Sequence, residues 1–214
     1  MPDSIAQALE AALADRVSIG QILIRKMDRG FVLSHRDDED RNDLQKFSNP
    51  EDAIGLARYD DSENYRPLKT APNLRHGWQL QVVDVNGLRV ALDHFYPGRL
   101  AMFAAWKANR FSTTPLRTTL NRQSGMYRIA AKISDEQLDL LIADFCRSDG
   151  GCLRTILWKR DANGTVASTN LPREKFDPTH DQTRHDDKMI PLLCQEACNL
   201  LVAACRKIVG SGGL

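Results

Sequence analysis

Apolar positions recur three and four apart from Ile5 to Val17, with Ile5, Leu9, Ala12 and Leu13 on one face. That spacing predicts an amphipathic helix. A denser apolar run follows. Gly20 to Arg25 reads as a strand, Asp28-Arg29-Gly30 as a turn, and Phe31-Val32-Leu33 as the return strand of a hairpin. Arg36 to Asp43 is an acidic loop. Asn49-Pro50-Glu51-Asp52 opens a short helix, with Asn49 at the cap and Pro50 in the first turn. Gly77 to Val85 reads as a further strand, Asn86-Gly87 as a hairpin turn, and Leu88 to Phe95 as the strand that pairs back. These elements predict an α+β N-terminal domain over residues 1–97.

The pattern changes after Pro97. Gly98 to Asn109 reads as a helix that buries Leu100, Phe103, Ala104 and Trp106, and Thr114-Pro115-Leu116 starts another. Met126 to Ile133 reads as a strand. Ser134 and Gln137 form a capping box, opening a helix to about Phe145 with Leu138, Leu141, Ile142 and Phe145 on its apolar face. Cys152 to Lys159 is a strand, Asn163-Gly164 a turn and Thr165 to Thr169 the return strand. Leu171 to Lys188 is polar and reads as an exposed loop; Pro191 begins a last helix that ends near Val209. The expected fold class is α+β in two small domains. The second, residues 98–214, combines a β-hairpin and a long terminal helix around a metal centre.

Composition narrows the function. The 214 residues are 42% hydrophobic and 27% charged, with a net charge of +1. A balance so close to neutral predicts neither a nucleic-acid nor a membrane-surface partner. No apolar stretch approaches the roughly twenty residues of a bilayer span. The segment MPDSIAQALEAALADR has none of the marks of a secretory leader, so a cytoplasmic protein is expected. Phosphate-loop, dinucleotide, nucleophile-elbow and zinc-protease motifs are all missing from the sequence, and no catalytic residue is assigned.

The chemistry lies in the cysteines. Cys146 and Cys152 form a C-x5-C pair, and Cys194 and Cys198 a C-x3-C pair. In a reducing compartment, clustered thiols favour metal ligation over disulfides. Cys194 and Cys198 would share one face of the predicted terminal helix. Arg147-Ser-Asp-Gly-Gly151 would let the chain turn tightly between the other two. Four thiolates suit tetrahedral zinc or a [4Fe–4S] cluster. The first pair is wider than the usual zinc spacing, and no bacterial ferredoxin run is present. Cys205, seven residues beyond Cys198, reads as a core residue in an apolar run, with ligation in place of Cys194 as the alternative.

Other groups carry weaker signals. Arg99, Lys107, Arg110, Arg117, Arg122 and Arg128 bracket the RQSGMY segment. Guanidinium forks bind carboxylates, so these could hold an acidic tetrapyrrole or partner; the plainer reading is a solvated face. His180 and His185 lie in an acidic loop, His76 and His94 read as structural or exposed, and Trp78, Trp106 and Trp158 as core anchors.

The segments YRPLKTAPNLRHGW (65–78), LDHFYPGRL (92–100), PLRTTLNRQSGMYRIA (115–130), CLRTILW (152–158) and IPLLCQEACNLL (190–201) carry a resemblance. Over residues 19–209 the chain resembles the C-terminal iron–sulfur region of a bacterial family of sirohydrochlorin chelatase-related proteins. In that family a chelatase-like module precedes an extra α+β region and a domain stabilised by a four-iron cluster. The resemblance implies that Cys146, Cys152, Cys194 and Cys198 bind a [4Fe–4S] cluster. It implies a redox or structural accessory in tetrapyrrole or cobalamin metabolism, with a chelatase-like or redox partner. Nothing in the sequence resembles the chelatase-like module, so that module's catalytic histidines have no counterpart here. A zinc-braced interaction module and a chelatase subunit are the alternative readings.

Overall fold

The computed structural model describes residues 4–66, 74–108, 110–134, 136–138, 140–141, 155–159, 188–190, 192, 197 and 199–211. Its larger part is a six-stranded sheet. In chain order the strands are β1 (Arg16–Ile19), β2 (Ile22–Lys26), β3 (Phe31–His35), β4 (Gln45–Phe47) and β5 (Trp78–Val82), with Lys188–Ile190 as the sixth. The spatial order is β4-β5-β3-β2-β1 and then Lys188–Ile190. The central pairs are antiparallel. Both outer pairs, β4 with β5 and β1 with Lys188–Ile190, are parallel. The fold is α+β.

The hairpin expected at Asp28–Gly30 is present, with Lys26 opposite Phe31. Gly30 has φ +83, and a β-carbon there would run into the Val82 carbonyl. Register aligns Val17, Ile24, Leu33 and Leu80 across four strands, and all four are fully buried or nearly so. Helices α1 (Ser4–Ala12), α2 (Ala53–Arg58), α3 (Val85–Phe95) and α4 (Arg99–Lys107) cover that row. Trp78 stacks on Phe95 with ring centroids 4.9 Å apart, an aromatic pair joining sheet to helix.

The structure corrects several expectations. α1 ends at Ala12, and Arg16–Ile19 is a strand, so the first hairpin gains a third strand. Leu88 to Phe95 does not pair back but forms α3, with Leu88, Ala91, Leu92 and Phe95 buried at helical spacing. α4, assigned from sequence to the second domain, packs Leu100 and Phe103 into the first core.

A second core contains Leu120, Met126, Ala130, Ile133, Leu138, Leu141, Ala197, Leu201, Val202 and Cys205. It is built from α5 (Leu116–Arg122), α6 (Tyr127–Lys132), the helical residues 136–138 and 140–141 and the terminal helix Asn199–Ser211. Met126 to Ile133 is therefore helical where a strand was expected. The capping box is formed as predicted: Ser134 N–H donates to Gln137 at 2.9 Å, and Gln137 N–H to Ser134 Oγ at 3.2 Å. A two-stranded ribbon pairs β6 (Phe111–Pro115) with β7 (Thr155–Lys159), antiparallel. The Asn163-Gly164 turn and the return strand Thr165–Thr169 lie outside the described residues.

Candidate functional site

Cys146, Cys152, Cys194 and Cys198 lie outside the described residues, as do His180 and His185. What surrounds the second cysteine pair in the chain is on view. Ile190 and Leu192 are buried in the first core, and Ala197 in the second. Cys194 thus stands in sequence between residues anchored in different cores. The expected helix start at Pro191 is not observed. Ile190 is strand, Leu192 and Ala197 are outside any helix, and the helix begins at Asn199.

The RQSGMY segment holds this region by its backbone. Gln123 Nε2 donates to the Ala197 carbonyl at 3.3 Å, and Arg206 Nη2 to the Ser124 carbonyl at 3.4 Å. Arg117 donates to the carbonyls of Ala130 and Ile133, the latter at 2.9 Å, placing positive charge at the carbonyl end of α6. Lys107 lies over the rings of Trp106 and Phe103, at 5.0 and 5.6 Å, and Arg128 over Tyr127 at 5.4 Å. Arg99 reaches Met102 Sδ at 3.5 Å, and Arg122 is exposed. Of the basic series, Arg99, Lys107, Arg117 and Arg128 thus each make a contact of their own. Cys205 is fully buried in the second core.

In the first domain the structure assembles groups that sequence reasoning did not join. His35 occupies a core-facing position of β3, opposite Ile22, and is fully buried. Its ring lies 3.9 Å from that of His76, centroid to centroid. Burial, and then His76, pull the His35 pKa from 6.5 to about 4; Asp37 and Asp38 pull the other way. Asp61 accepts from the His76 backbone N–H at 2.7 Å and meets His76 Nδ1 at 2.6 Å. Burial pushes Asp61 up, but these bonds prevail and hold it below the ordinary carboxylate range. His94 pairs with Glu51 at 2.8 Å. Nothing local in the sequence marks the His35–His76 meeting, because the β3–β5 register creates it.

Two family models divide the chain. Residues 5–110 match the DR2241 stabilising domain, and residues 108–207 match a 4Fe–4S iron–sulfur cluster binding domain. The chain carries a 4Fe–4S cluster-binding domain. Its cofactor is a [4Fe–4S] cluster, and all four paired cysteines fall within residues 108–207 of that domain. Four thiols in two local pairs match the ligand count of such a cluster. Over 97% of its length the chain is also similar in structure to DR2241 from Deinococcus radiodurans, at 27% identity and a TM-score of 0.60. That crystal structure is of a multi-domain protein with structural similarity to chelatases and two additional novel domains. The present chain spans 41% of it. No curated protein matches the chain in sequence. The expected likeness to a chelatase-like multidomain protein with an iron–sulfur region is thus found, while neither family model is that of a sirohydrochlorin chelatase. Among the described residues no helix is long and apolar enough to cross a membrane.

Proposed function

We propose that Cys146, Cys152, Cys194 and Cys198 hold the [4Fe–4S] cluster, and that the chain serves as a redox or structural accessory to a tetrapyrrole-handling chelatase-like protein. The observation that carries this reading is the match of residues 108–207 to a cluster-binding domain containing both cysteine pairs. Cys205 lies in the second core, and the two local pairs by themselves supply four thiolates. With protein thiolates on all four irons, the cluster supplies outer-sphere electron transfer or a rigid brace between distant segments. The tetrapyrrole link rests on the chelatase-like character of the Deinococcus protein. It is accordingly a reading of the larger assembly: this chain would work beside a chelatase-like module, with an acidic macrocycle as the substrate of that module.

Anaerobic purification tests the ligand set. Wild-type protein is expected to be brown and to contain about four iron and about four sulfide per chain. Cys194→Ser should lose most of both, while Cys205→Ser keeps them. Full iron content in Cys194→Ser, or about one zinc in place of iron in the wild type, would refute the assignment.

A further inference from the structure

The geometry points to a second metal site in the N-terminal domain, formed by His35, Asp37 and His76 and suited to a divalent transition ion of the zinc class. Each of the three residues offers a ligand atom, and these atoms all lie within 4.8 Å of one another. Two imidazoles and a carboxylate match zinc, which commonly takes three protein ligands and keeps a water in the fourth place. Imidazole argues against magnesium or calcium, which prefer oxygen alone.

Three further observations separate this cluster from a chance meeting of polar side chains. The first is the support beneath His76. Asp61, an ionised acceptor, takes both the His76 backbone N–H and its Nδ1–H, at 2.7 and 2.6 Å. That bond fixes the ring and leaves Nε2 with the lone pair, the carboxylate–histidine arrangement that orients metal ligands. The second is His35 itself. It is fully buried, and its Nε2 has no hydrogen-bond partner. Its row in the sheet is otherwise Ile22, Ile19 and Ile190, where another hydrocarbon would fill the space. A buried imidazole in such a row calls for an explanation; with Nδ1 accepting the Asp37 N–H the ring proton sits on Nε2, so Nδ1, which faces Asp37, is the nitrogen a metal would take in place of that bond. The third is access. Asp37 and His76 keep side-chain exposures of 65% and 36%, so an ion can enter from solvent and retain water. His35 Nδ1 accepts the Asp37 backbone N–H at 3.1 Å, which holds Asp37 beside the ring with Oδ2 at 3.8 Å. Arg36 approaches the other oxygen, Oδ1, at 3.7 Å. Asp38 is engaged elsewhere, with Gly77 N–H at 2.6 Å and Arg41 at 3.2 Å.

Cobalt(II) is the probe, added to the full chain with its iron–sulfur cluster assembled anaerobically. The expected result is binding of about one cobalt with ligand-field absorption but no thiolate charge-transfer band, reversed by zinc(II). X-ray absorption of the zinc-loaded protein should show nitrogen and oxygen at about 2.0–2.1 Å and no sulfur. His76→Asn should lower affinity by about 100-fold or more, and Asp61→Asn by about 10–100-fold through the supporting bond. His94→Asn should leave affinity unchanged. Sulfur in the zinc shell, no cobalt binding, or equal affinity in wild type and His76→Asn would each overturn the site. Should His76→Asn fail to fold, Asp61→Asn and the wild-type absorption spectrum decide. Iron and sulfide content, measured on the same samples, keeps this test separate from that of the cluster.

Discussion

Tyr96 shows how single residues lock this fold. Its hydroxyl accepts the buried Gln21 N–H at 2.8 Å, and Gln21 Oε1 in turn accepts the Leu74 N–H at 2.8 Å. The β1–β2 turn, the end of α3 and the approach to β5 are thereby tied at one point. Gly20 has φ +57, and a β-carbon there would collide with the Tyr96 hydroxyl. Tyr96→Phe removes the acceptor and strands a buried N–H, which should cost about 1–3 kcal/mol. Urea unfolding of cluster-loaded protein would measure it. A loss below about 0.5 kcal/mol would show that Gln21 finds another acceptor. Nothing in the primary order foretold this link, nor the pairing of His76 with His35. Both depend on strand register, whereas local devices could be read directly. The Asn49 cap and the Ser134–Gln137 box are formed as expected, since capping needs only residues two or three apart.

α3 carries the same lesson for elements. Asn86-Gly87 is a strong hairpin signal, yet Asp84 takes the helix cap, its carboxylate accepting the Gly87 N–H at 2.8 Å. Leu88, Ala91, Leu92 and Phe95 then run at helical spacing into the core. Burial along that stripe outweighs the turn propensity of two residues. Met126, Ala130 and Ile133 misled in the same way. Expected within a strand, they are three buried positions at four-and-three spacing on α6 and its flanks. Asp84→Ala should destabilise the first domain by about 1 kcal/mol, the ordinary cost of losing a side-chain cap. Asp84→Ser should recover most of that, because a hydroxyl caps as well. Equal losses in the two variants, read from thermal unfolding, would mean that the carboxylate acts by charge rather than as a cap.

At the scale of the whole molecule, the chain returns to where it began. Lys188–Ile190 pairs in parallel with β1 and covers the sheet edge, and Ile190 and Leu192 enter the first core. Cys194 follows two residues after Leu192, and Ala197 is already in the second core. The sequence pattern offered two domains in succession, but could not show that a short strand late in the chain completes the first one. Nor do hydropathy patterns carry sulfur geometry, so the proposed ligand set rests on spacing and not on a site. If Cys194 is a cluster ligand, the cluster pins one end of the segment that holds the edge strand. Losing it frees that end, and the Lys188–Ile190 strand should fray first, since an outer strand of three residues has few bonds of its own. β1 would then become a sheet edge. Amide exchange of Arg16–Ile19 should accelerate about tenfold or more in Cys194→Ser, equivalent to about 1.4 kcal/mol of local opening. Leu33 and Leu80, deep in the β3–β5 pair, should keep their protection. Unchanged exchange in β1, in protein shown to lack iron, would mean that the edge strand holds by its own packing and that cluster and sheet are mechanically independent.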